Sequence, residues 1–102
     1  MRKGLLELCV LGILRRQGEA YPTDLVVQLK DAKLVVLEGT LYPLLTRLKN
    51  AGILTYRWEE SPSGPPRKYY SLTKEGQKFY ARLRTTWDEL SAAVDSLTVS
   101  IK

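Results

Sequence analysis

The side chains most used for chemistry near neutral pH are scarce in this chain of 102 residues, which contains no His and a single Cys. Without His there is no imidazole to move a proton or to hold zinc. One thiol makes neither an internal disulfide nor a thiolate metal cluster. Cys9 also lies within an apolar run, Leu5 to Leu14, where a buried and inert thiol is expected. Glu59 and Glu60 are neighbours in an extended segment, so they point to opposite faces and cannot work as an acid–base pair. No Gly-rich phosphate loop is visible. Catalysis is therefore not expected, and no cofactor or metal is implied. The chemistry left is charge, hydrogen bonding and aromatic surface. Lys+Arg number 16 against Asp+Glu 11, a formal charge of +5, which suggests a polyanionic partner. The excess is spread along the chain, so a folded surface has to gather it.

The elements that could do so follow from periodicity. At this length one domain with a modest core is expected. Leu5 to Leu14 reads as a helix apolar on nearly every side, flanked by Arg2, Lys3, Arg15 and Arg16 and stopped by Gly18. Such a helix is buried from more than one direction, by the core and by a second chain. A second helix opens at Pro22 and runs to about Lys30, with Leu25, Val26 and Leu29 inward. In the third, Leu41, Leu44, Leu45 and Leu48 form an inward stripe and Gly52 closes the element. Its opposite face carries Gly39, Pro43, Thr46 and Asn50, flanked by Tyr42, Arg47 and Lys49, with Glu38 its only acid. Either Thr40 caps this helix and Pro43 lies in its first turn, or the helix starts earlier and Pro43 lies inside it.

Two short runs follow, Leu54–Glu59 and Arg67–Leu72, separated by Ser61-Pro-Ser-Gly-Pro-Pro66. They read as a β-hairpin in which the Pro/Gly segment is neither helix nor strand. Arg67 and Lys68 then sit beside the loop, where Glu59 and Glu60 at the opposite base are available to pair with them. Thr73 caps a last helix reaching about Thr98. Phe79, Leu83, Trp87, Leu90, Val94, Leu97 and Ile101 recur at the alternating spacing of a coiled-coil seam. At 1.5 Å per residue this helix is ~39 Å long, more than so small a core covers. Its second half calls for a partner, most simply another copy of the chain, with Leu5, Leu6, Leu83, Trp87, Leu90, Val94 and Leu97 at the interface.

Three helices and a hairpin in this order make a winged helix-turn-helix, mainly α with a small β-hairpin, plus a long C-terminal dimerisation helix. Residues 1–72 form the DNA-binding part and 73–102 the dimerisation helix. The third helix offers its acid-poor face to a major groove of double-stranded DNA. Thr40, Tyr42, Pro43, Thr46, Arg47 and Lys49 are its candidate contacts. Arg67 and Lys68 on the wing position the protein on phosphates or in the minor groove. The competing expectation is a winged-helix module for protein association, which would give the same face to a protein.

Glu38-Gly-Thr-Leu-Tyr-Pro-Leu-Leu-Thr-Arg-Leu48, Gly52-Ile-Leu54, Gly64-Pro-Pro-Arg-Lys-Tyr-Tyr70 and Leu72-Thr-Lys-Glu-Gly76 together resemble the PadR family of bacterial transcriptional regulators. The likeness runs from Gly4 to about Leu97, and the single C-terminal helix places the chain with the short members. Pro22-Thr23-Asp24 departs from the Gly-Tyr or Tyr-Gly pairs often found at the second helix, and relatives often carry several more residues before the first. The resemblance implies a homodimeric repressor acting on a palindromic operator. Some short members also sense planar aromatic drugs between the subunits by stacking them on a Trp of the last helix. That implies a ligand site at Trp87, lined by Leu8, Cys9 and Leu90, whereas spacing alone makes Trp87 a seam residue. No run is long and apolar enough for a membrane span and no signal-peptide pattern is visible, so a cytoplasmic protein is expected.

Overall fold

The computed structural model describes residues 2–99, with side chains from Gly4 to Val99. Ile101 and the side chains of Arg2 and Lys3 lie outside the described residues. The order is α1 (Arg2–Gln17), α2 (Pro22–Asp31), α3 (Glu38–Asn50), β1 (Leu54–Ser61), β2 (Gly64–Leu72) and α4 (Lys74–Thr98). This is a mainly helical winged helix-turn-helix with a two-stranded antiparallel sheet and a long last helix.

The core gathers the apolar stripes of the first three helices. Val10, Leu11, Ile13 and Leu14 of α1 meet Leu25 and Leu29 of α2, Leu41, Leu44, Leu45 and Leu48 of α3, and Leu54 and Tyr70 of the sheet. Pro22 occupies the first turn of α2, and the Asp24 carboxylate accepts the Tyr21 N–H at 3.4 Å. Helix α3 starts at Glu38, so Thr40 is inside its first turn and does not cap it, and Pro43 lies within the helix. Pro43 has no N–H for the carbonyl of Gly39, four residues earlier. Gly39 is exposed, where water can satisfy that oxygen.

Helix α3 ends in a Schellman turn. Ile53 N–H donates to Leu48 O at 2.9 Å and Gly52 N–H to Lys49 O at 3.1 Å, with Gly52 at φ 82°. Reversing the chain this way brings β1 against the helix it has just left.

The hairpin is longer than the Pro/Gly segment suggests. Ser61 pairs with Gly64, so only Pro62 and Ser63 turn, and Gly64, Pro65 and Pro66 belong to β2. The reason is a register irregularity between Glu59 and Ser61, where Glu60 lies opposite Pro65 and Pro66. A bulge leaves a residue unpaired, so prolines there forfeit little of the ladder. On its other edge β2 bridges Ala20, with Tyr70 N–H donating to Ala20 O at 2.9 Å and Ala20 N–H to Tyr70 O at 3.1 Å.

Thr73 caps α4 by accepting the Gly76 N–H at 2.9 Å. Phe79, Tyr80 and Leu83 pack on the core, while exposure climbs along the seam from Leu90 at 43% to Val94 at 56% and Leu97 at 85%. The second half of α4 therefore carries an apolar stripe that its own chain leaves bare.

Candidate nucleic-acid interface

Burying Leu41, Leu44, Leu45 and Leu48 forces the opposite side of α3 outward. Gly39, Thr40, Tyr42, Pro43, Thr46, Arg47, Lys49 and Asn50 are all exposed. Arg47 is not left unpaired. Its guanidinium donates to the Glu7 carboxylate of α1 at 2.5 Å.

Arg67 and Lys68 lie within the paired ladder, opposite Glu59 and Trp58 respectively, and not beside the loop. Being consecutive in a strand, they occupy opposite faces of the hairpin. Lys68 shares its face with Tyr56 and Trp58 and holds its ammonium 4.4 Å and 5.3 Å from those ring centroids. Lys49, arriving from α3, stands 5.6 Å from the same Tyr56 ring. The electron-rich ring face attracts both cations at these distances. Tyr56 therefore holds one lysine of the helix and one of the wing on a single surface, with Trp58 60% exposed beside them. Neither aromatic stood out in the sequence, although their period-two spacing on the strand that partners Lys68 was a usable sign.

Arg67 faces the other way. Its guanidinium lies 5.0 Å from the Tyr21 centroid, Tyr21 stacks on Tyr69 at 4.0 Å and 15°, and Arg57 covers Tyr69 at 4.6 Å. Two arginines thus bracket two tyrosines and tie the wing to the start of α2. Glu59 does not pair with Arg67. It pairs with Arg57, which also holds Glu19 through two hydrogen bonds of 2.8 and 3.0 Å. The Arg57 hydrogen bond keeps the Glu19 carboxyl below the usual carboxylate range, and the two carboxylates push the Arg57 guanidinium still higher. Among the described residues, neither Arg67 nor Lys68 is in an ion pair.

A separate hollow of about 780 Å³ opens between α1, the end of α2 and α4, with Leu8, Cys9, Tyr80 and Trp87 in its wall and Arg15, Arg16 and Arg84 among its polar neighbours. A smaller one of about 240 Å³ is lined by Leu5, Leu8, Leu83, Trp87 and Leu90. Leu8 and Trp87 border both, so the four candidate ligand residues converge on one region. Burial pushes the Cys9 thiol up, away from the reactive thiolate. Of the candidate interface residues, Leu6 and Leu83 pack on the chain's own core, whereas Leu90, Val94 and Leu97 are exposed. Among the described residues, no three His, Cys, Asp or Glu side chains cluster to hold a metal, and no helix is long and apolar enough to cross a membrane.

Residues 10–82 match the model of the transcriptional regulator PadR-like family. The chain belongs to that family. A PadR-like transcription factor from Bacteroides fragilis is 51% identical, with 96% of this chain and 94% of that one covered at a TM-score of 0.84. A PadR family regulator from Eggerthella lenta is 36% identical over 98% of this chain and 87% of its own, with a TM-score of 0.85. Bacillus subtilis PadR, solved in complex with operator DNA, is 26% identical over 76% of this PadR-like chain and 45% of its own, with a TM-score of 0.70. No functionally curated protein matches the sequence.

Proposed function

We propose that this PadR-like regulator binds a palindromic operator as a homodimer, acts as a repressor, and is released by a small aromatic ligand held at Trp87. The observation that carries DNA binding is the continuous surface joining the acid-poor face of α3 to the wing through Lys49, Tyr56 and Lys68. The operator complex of Bacillus subtilis PadR supports the same use of the fold. Thr40, Tyr42, Pro43 and Thr46 are small or hydrogen-bonding and suit approach to base edges in a major groove. On this surface Lys49 and Lys68 suit phosphates and Arg47 joins them by leaving Glu7, while Arg67 suits a phosphate that meets the other face of the wing. The bare stripe of Leu90, Val94 and Leu97 supports dimerisation through α4, with residues 73–102 as the dimerisation helix and 1–72 as the DNA-binding part. A dimer places its two third helices on half-sites roughly 34–36 Å apart.

The test is binding to the duplex just upstream of the protein's own gene, at about 50 and 200 mM salt. Tight binding that outlasts competitor DNA and weakens steeply with salt is expected, because each neutralised phosphate releases counterions. Absence of binding at low salt, even to random duplex, overturns the reading in favour of a protein-association module.

A further inference from the structure

The wing carries a charge conflict that the fold resolves. Glu59 and Arg67 are directly opposed across the hairpin, and opposite charges in that position ordinarily pair. Here they do not. Arg57, two residues from Glu59 on the same strand and therefore on the same face, takes the Glu59 carboxylate and the Glu19 carboxylate together. Arg67 is left against the uncharged ring of Tyr21. A guanidinium fork can serve two carboxylates because it presents five N–H donors in one plane.

We propose that Arg57 is a positioning residue for DNA binding: by holding Glu59 and Glu19 it keeps the Arg67 guanidinium free of acid and stacked on Tyr21, ready for a phosphate. This rests on the reading that Arg67 is a DNA contact. Arg57 touches no DNA in this arrangement, since its own charge is spent on the two carboxylates. Tyr21 completes the device by giving Arg67 a surface that orients it without neutralising it.

The experiment measures the slope of log affinity against log salt, which becomes shallower by about 0.9 for each phosphate that is no longer neutralised. Arg67→Ala is expected to make the slope shallower by about that much. Arg57→Ala is expected to do the same, because Glu59 turns to Arg67. The triple variant Arg57→Ala with Glu59→Gln and Glu19→Gln, which removes both carboxylates that Arg57 held, is expected to return to the parental slope. Arg57→Gln, which keeps a side chain of similar reach, provides the same reading if Arg57→Ala does not fold. If the slope stays shallow in the triple variant, Arg57 itself contacts phosphate and the proposal is wrong. It is also wrong if Arg57→Ala and Arg57→Gln leave the slope unchanged while Arg67→Ala makes it shallower. An unchanged slope in Arg67→Ala instead removes the wing contact on which the proposal stands.

Discussion

The backbone carbonyl of Ile53 occupies the space that a Cβ on Gly76 would need, so the first turn of α4 lies against the turn that follows α3 where only glycine fits. Thr73 fastens the same junction. Its hydroxyl donates to Gly52 O at 2.6 Å and accepts the Gly76 N–H at 2.9 Å. Gly76→Ala must shift backbone against backbone, and overpacking of this kind costs about 1–3 kcal/mol. Thermal melting should fall by roughly 4–8 °C for each kcal/mol of stability removed. An unchanged midpoint would show that the first turn of α4 does not bear on the Ile53 carbonyl.

Glu7 and Arg47 set the number of charges that α3 offers. Arg47 is half exposed but the Glu7 side chain is only 13% exposed, and Glu7→Gln keeps the size and an acceptor oxygen at that position, so the fold should stay intact. Because Arg47 has to leave Glu7 to reach a phosphate, Glu7→Gln should tighten DNA binding, while the salt slope, set by the number of phosphates neutralised, stays the same. Unchanged affinity, together with an Arg47→Ala variant whose salt slope matches the parent, would show that Arg47 does not reach the DNA.

Helix and wing should answer differently to substitution. Lys68→Ala is expected to weaken binding to all sequences alike and to make the salt slope shallower by about 0.9. Thr46→Ala or Tyr42→Ala should change which bases are preferred, by about 1–3 kcal/mol at the position read. Binding-site selection followed by titration of single-base variants checks both.

Trp87 makes the ligand reading measurable. In a Trp58→Phe background, titration with a planar aromatic compound should quench its emission, and Trp87→Ala should lose the ligand while sedimentation still reports the dimer. Loss of dimer in Trp87→Ala with no quenching in the parent would leave Trp87 as packing alone.

Acid should loosen the wing from α2 through Glu19. Its folded-state carboxyl is held below the usual range by Arg57, so its contribution is present above the unfolded pKa of about 4. That contribution is lost as pH falls through the lower folded value. Melting curves of the parent and of Glu19→Gln should therefore differ at neutral pH and converge below that window. Curves that stay apart at every pH would assign the difference to shape and not to charge.

Composition and periodicity together were enough to place the four helices and the hairpin: α1 is an apolar run, the hairpin is two short runs about a Pro/Gly segment, and in α3 Leu41, Leu44, Leu45 and Leu48 recur with the helical repeat until Gly52, where a left-handed residue must end it. The outer face of α3 was legible for the same reason, as whatever lies opposite a buried stripe is exposed. Spacing left the role of Pro43 open, and the backbone hydrogen bonds that Thr40 and Leu41 donate to Leu37 O decided it by starting the helix at Glu38. The hairpin ladder also had to be seen, since its pairing runs past the prolines by placing them in a bulge. Above all, tertiary structure decided which charges are spent. Arg47 finds Glu7 and Arg57 finds Glu19 across 40 and 38 positions. A hydrogen bond reaches only about 3 Å. Composition counts the cations, but only the packing of α1 on α3 and of β2 on Ala20 brings particular partners within that reach.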